Sequence, residues 1–245
     1  DSKIEIYPRD TKADPDTTFN VAKELYEKGI KIIIGPVFNK NLLHLNKLND
    51  VVFLSLTNKI TNNPGNVVST GINALSQINT IKKFLKDEKI EKTVLLIPNN
   101  EIKYEIEKAV LESDIKLKQK FIYDTDPTIL TQQIEELTYY SIRKQNLEDE
   151  IIRLENSNEE NKDKKIENLK KRDTLGGINF DSVIIADFDE SLKSVATSLL
   201  YTDITSKRVY YISLNQWFDK SLLKEVNLQP IYFPSINKKN YDEFN

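Results

Sequence analysis

Residues 30–41 read IKIIIGPVFNKN: a hydrophobic run, a Gly-Pro stop, then a short polar loop. Strands of a parallel sheet are covered on both faces, so they read as unbroken Val, Ile and Leu rather than as an alternation. Ligands of such sheets gather in the crevice beyond the strands' carboxyl ends. The run therefore predicts an interior strand that delivers Asn39 and Asn41 toward a crevice, although the same loop would serve as an ordinary strand-to-helix connection.

Working outward, strand and helix signals alternate. KIEIY (3–7) reads as a strand. Asp14-Pro15 supplies a helix cap and a first-turn proline, Gly29 a stop, and Val21, Ala22 and Leu25 fall at helical spacing between them. A helix is expected around 41–49, with strands at VVFLS (51–55) and NVVST (66–70). The rhythm then restarts with a helix over 73–86, the strand TVLLI (93–97), a helix over 101–113 and the strand KLKQKFIY (116–123). DSVIIAD (181–187) is the next strand, and Leu192, Val195, Ala196, Leu199 and Leu200 then form one helical stripe. RVYYIS (208–213) and PIYF (230–233) follow. This pattern predicts an α/β protein with parallel sheets and helices on both faces. Two strand sets predict two lobes: residues 1–71, residues 72–213, and a segment 214–245 returning toward the first lobe.

Residues 127–172 break the rhythm. Leu130, Ile134 and Leu137, then Leu147, Ile151 and Leu154, recur at helical steps, and Glu160/Lys164 and Glu167/Lys171 stand one turn apart. Asn156-Ser157-Asn158 is a natural turn. The reading is a projecting hairpin of two antiparallel helices; a solvated or partly disordered charged insert is the alternative.

Composition narrows the function. The chain has 245 residues, a formal net charge of -3, 30% charged and 39% hydrophobic residues, and few glycines and prolines, which fits globular domains with real cores. Mild acidity gives no electrostatic reason to expect nucleic acid. No apolar stretch approaches the ~18 residues that span a bilayer. Without cysteine there is neither a disulfide nor a thiolate metal site, and no cofactor is expected.

Residues for catalysis are missing. The single histidine, His44, lies in NLLHLNKL and reads as a packing or surface residue. There is no G-x-S-x-G and no glycine-rich phosphate loop after a strand; Leu175-Gly176-Gly177 precedes a strand and reads as a turn. In ADFDES (186–191), Asp189 or Ser191 reads as a helix cap, and Asp187 as either a solvated carboxylate or one that accepts a ligand's ammonium or a cation. Asp126 before Pro127 is a helix start. Tyr139/Tyr140 and Tyr210/Tyr211 with Trp217 lack the basic interleaving of a nucleic-acid surface. Polar residues directly after apolar runs make Asn39, Asn41, Ser55, Thr57, Asn58, Asn99 and Asp187 the candidate cleft set, expected to cluster at strand carboxyl ends facing the gap between the lobes. The chain is read as a non-enzyme and as part of a longer polypeptide, with any signal peptide or lipid anchor upstream.

IEIYPRD followed by DPDTTFNVAKELYEKGIKIIIGPV resembles the early part of type I periplasmic binding proteins of the Leu/Ile/Val-binding class, and FLSLTN (53–58) resembles that family's next strand end. The stretch 172–217, after a long charged insertion, is similar to the penicillin-binding protein activators of the LppC/LpoA type. The resemblance implies a two-lobed fold lacking its first strand–helix unit, with Tyr104 near the second lobe's ligand loop but without the family's glycine. It implies a periplasmic regulator of peptidoglycan synthesis, anchored at the outer membrane as a lipoprotein, whose partner is a peptidoglycan synthase. The alternative is a receptor that closes over an amino acid or similar small-molecule ligand for an ABC transporter.

Overall fold

The structure is a computed structural model that describes residues 4–57, 64–214 and 220–235. The chain divides into two compact units, Asp1–Ser76 and Gln77–Asn245.

In the first unit, α1 (Pro15–Glu27) starts where the Asp14 carboxylate accepts from the Thr17 backbone N–H at 2.7 Å, with proline in the first turn. Thr18, Ala22 and Leu25 form its buried face. Strands β1 (Ile32–Ile34), β2 (Val52–Ser55) and β3 (Val67–Ser69) pair in parallel in that order. Phe53 of β2 is buried with Ala22, Leu42, Leu45, Leu48 and Val51. Two short 3-10 turns, Asn39–Leu42 and Leu45–Lys47, replace the helix expected over 41–49. His44 separates them in the left-handed region, φ 70°, and packs edge-on against Phe19. Asparagines 39, 41 and 46 favour turns over helix by bonding to nearby backbone.

Of the strand expected over 3–7, residue 3 lies outside the described residues and 4–7 form no strand: residues 4–10 have no regular structure, and Ile4 and Ile6 are 86% and 82% exposed. An alternating pattern marks a side chain's face, but a strand also needs a neighbouring ladder.

Helix α2 (Ala74–Asp87) begins in the last residues of the first unit and leads to β4 (Thr93–Pro98), α3 (Lys103–Ser113) and β5 (Gln119–Tyr123) of the second. Helices α4 (Pro127–Leu137), α5 (Tyr140–Glu155) and α6 (Lys162–Leu169) follow. The chain continues through β6 (Ser182–Ile185), α7 (Asp189–Tyr201), β7 (Tyr210–Ser213) and β8 (Ile231–Tyr232). The five strands form one parallel sheet in the order β5-β4-β6-β7-β8. Every residue of β4 and β6 is buried, as strands covered on both faces require.

The excursion is divided differently from the sequence expectation. Helix α4 belongs to the sheet's own covering layer: Leu130, Ile134 and Leu137 share a core with Leu192, Val195, Ala196 and Leu199 of α7. The insertion proper is the pair α5 and α6, which pack on one another and bury Leu147, Leu154 and Ile166. Arg143 anchors its base. The guanidinium is 4% exposed and donates to the Thr202 carbonyl at 2.9 Å and the Thr174 hydroxyl at 2.6 Å, with Asp203 3.5 Å away.

The described part of the expected return segment stays with the second unit. β8 pairs with β7, Leu222 and Leu228 join the core, and Tyr232 packs with Phe84 and Tyr210. Residues 236–245 lie outside the described residues.

Candidate functional site

Numbered within the second unit, the strand order is 2-1-3-4-5, a doubly wound arrangement whose connections reverse direction between the first and third strands, β4 and β6. The crevice beyond the carboxyl ends of that pair is where such sheets hold ligands. Asn99 follows β4 directly, and Asp187 stands two residues beyond β6. Tyr123 ends β5, opposite Pro98 on the other side of β4.

The centre of this edge is a buried pair. The Tyr123 hydroxyl donates to Asp187 Oδ2, and the Phe188 backbone N–H donates to Asp187 Oδ1 at 2.9 Å. Asp187 is 5% exposed and Tyr123 1%. Burial pushes the Asp187 carboxyl above its ordinary value, against the lowering effect of the two hydrogen bonds. Burial and the neighbouring carboxylate also push the Tyr123 hydroxyl up, so it remains a donor. Asp187 is therefore not the solvated carboxylate of one sequence reading. Nor does a side chain cap the following helix: the cap position is Phe188, while Asp189 adopts φ 48° at the first helical residue. That region is uncommon for residues other than glycine, and aspartate is one of those that tolerate it.

Asn99 is exposed and its Oδ1 lies 3.4 Å from Lys103 Nζ. Tyr104, on the first turn of α3, is 69% exposed. The sequence reading missed Tyr123; its signal was an aromatic placed last in a strand, next to the DTDP turn.

The first unit carries its own set at its sheet's carboxyl edge. Ser55 is fully buried and donates to the Pro36 carbonyl at 2.7 Å, while accepting from the Thr57 backbone N–H at 3.3 Å. The Thr57 carbonyl accepts from Ser69 Oγ at 2.7 Å, and Thr70 Oγ1 donates to the Ser55 carbonyl at 2.9 Å. Ser55 thus ties the three strand ends together. Asn39 is half-buried at the start of the first 3-10 turn. Asn41 is 1% exposed, and its side-chain carbonyl has no hydrogen-bond partner among the described residues. A buried acceptor without a donor costs about 1–3 kcal/mol. Asn58 lies outside the described residues. Among the described residues no group of His, Cys, Asp and Glu has a metal-binding arrangement, and no helix is long and apolar enough to cross a membrane.

No protein family matches the sequence, and no curated protein is similar to it. Solved structures are similar in fold. The C-domain of LpoA from Haemophilus influenzae, described as a regulator of PBP1A, has a TM-score of 0.58 at 11% identity over 96% of this chain and 66% of its own. Full-length LpoA from the same organism also gives 0.58 at 11% identity, over 96% of this chain and 39% of its own. An ABC transporter substrate-binding protein from Desulfitobacterium hafniense gives 0.50 at 13% identity, over 85% of this chain and 54% of its own. The chain spans about two-fifths to two-thirds of the length of these structures. Its parallel sheets and their covering helices build the type I periplasmic-binding-protein-like fold of these structures.

Proposed function

We propose that the chain is a non-enzymatic, periplasmic regulator of peptidoglycan synthesis that acts by contact with a penicillin-binding protein. The observation that carries this reading is the similarity to LpoA, which extends over 96% of the chain and so leaves almost nothing of it outside the shared fold. The insertion fits the same reading. Its acids and bases are mostly exposed and engage one another, as in Arg153 with Glu150 and Glu159, and Lys165 with Glu159. Such surface pairs stabilise little. They are suited to steering and registering a protein partner. The test is reconstitution: purified full-length protein added to a purified peptidoglycan synthase should raise its rate of glycan polymerisation. An unchanged rate, with no binding, counts against the reading.

A second reading rests on the Asp187–Tyr123 pair at the switch point of the second sheet. A buried carboxylate there suits the ammonium of an amino acid or a similar small-molecule ligand carried by a transport receptor. A ligand-library thermal-shift screen separates the two: this reading requires an amine-bearing compound whose stabilisation disappears in Asp187→Asn.

A further inference from the structure

A cavity of about 230 Å³ lies at the base of the insertion, lined in part by Arg143 of α5, by Gly177 and Ile178 ahead of β6, and by Val209 directly before β7. It sits at the amino ends of β6 and β7, so Asp187 and the crevice beyond β6 are at the other edge of the same parallel sheet. A water occupies about 30 Å³ in the liquid, so the cavity suits a ligand of about seven non-hydrogen atoms.

Among the described residues its charged lining is Arg143, Asp203 and Arg208. Asp203 Oδ2 is 3.5 Å from Arg143 Nη2 and 3.6 Å from Arg208 Nη1, and it accepts from Thr174 Oγ1 at 2.7 Å. A carboxylate that serves one base closes to about 2.7–2.9 Å. One acid is therefore shared loosely between two guanidiniums, and the cluster keeps one unit of positive charge. Arg143 is 4% exposed, and its buried Nε–H has no hydrogen-bond partner among the described residues. Burial pushes its pKa below the ordinary guanidinium value against the raising effect of Asp203, and Arg208 pushes it further down. A buried charge is costly until it is paired.

We propose that this cavity is a binding site for a small monocarboxylate. The ligand's carboxylate supplies the missing unit of negative charge beside Arg208, and its apolar body lies against Ile178, Ile204 and Val209. One surplus positive charge matches a monoanion better than the higher charge of phosphate, and a bare inorganic anion leaves the apolar walls unused. The rim is open: Gly176 and Gly177 are exposed, and a Cβ at Gly177 would meet nothing within 4 Å. Arg143 stands in the first turn of α5, so occupancy steadies the insertion at its base. The site does not depend on the regulatory reading, although it adjoins the surface that reading assigns to the partner.

Titration of the full-length protein with isovalerate at constant ionic strength tests this, with isovaleramide as the neutral isostere and inorganic phosphate as the second anion. Isovalerate should bind saturably at millimolar concentrations and slow amide exchange in α5, and the other two should bind at least about tenfold more weakly. Arg208→Gln, at a side chain 64% exposed, should keep the fold and weaken isovalerate binding at least about tenfold. Lys207→Gln removes the same charge outside the cavity lining and should leave binding unchanged. Asp187→Asn should also leave it unchanged, which separates this site from the crevice of the transport reading. The proposal is overturned by no saturable binding, by equal binding of the amide or of phosphate, or by unchanged exchange in α5. Equal affinity in Arg208→Gln, or binding lost in Asp187→Asn, overturns it as well.

Discussion

Asp187 shows how one side chain's setting determines what it can do. Its carboxyl is raised by burial, so the folded protein holds that proton more tightly than the unfolded chain does. The sign follows: the contribution is fully present below the ordinary carboxylate value of 3.8 and is lost as pH rises through the raised value. Relative to Asp187→Asn, the wild type should lose stability across that window, seen as a falling difference in melting temperature. Exposed carboxylates held low by cations, Glu24 and Glu159 at about 2, act in the opposite sense and cancel in this comparison. Tyr123→Phe removes the donor to a buried carboxylate and should cost about 2 kcal/mol in denaturant unfolding. The sequence made Asp187 legible because it follows an apolar run. Tyr123 was hidden, because its partner is 64 residues away and only the strand order brings them together.

Elements were legible where signals are local. The cap-proline pairs at Asp14-Pro15 and Asp126-Pro127 start α1 and α4 as the sequence predicts. Elements that depend on a distant neighbour were not legible, as with residues 3–7 and the assignment of α4 to the core. The contact that closes the first sheet's edge was equally invisible. A Cβ on Gly71 would overlap the Thr57 carbonyl oxygen, so Gly71→Ala forces apart the strand ends joined through Ser55 and Ser69. Overpacking of this kind should cost about 3 kcal/mol by urea denaturation. Arg143 is the corresponding fixture for the insertion. Arg143→Lys cannot reproduce the fork that reaches Thr202 and Thr174 together, and should raise protease cleavage within α5 and α6 while β4 and β6 remain protected.

At the scale of the whole molecule, the alternation of apolar runs and amphipathic helices predicted parallel sheets with covering helices, and the fold has them. The sequence reading sent residues 214–245 back toward the first lobe, because PIYF reads alike as a strand of either sheet; the ladder to β7 keeps Ile231–Tyr232 in the second sheet. The candidate residues are at carboxyl edges, Ser55 and Thr57 in the first unit, Asn99 and Asp187 in the second. The regulatory reading places recognition on the insertion. Its buried Leu147, Leu154 and Ile166 are separate from the core formed by β4, β6, α4 and α7. Deleting residues 146–165 should therefore spare that core while removing the contact surface. The most direct measurement is the affinity of the full-length protein for a purified peptidoglycan synthase, with and without that deletion, at matched melting temperature. The account predicts specific binding that weakens at least tenfold in the deletion variant, about 1.4 kcal/mol. Binding of equal strength in the two proteins, or none in either, would contradict it.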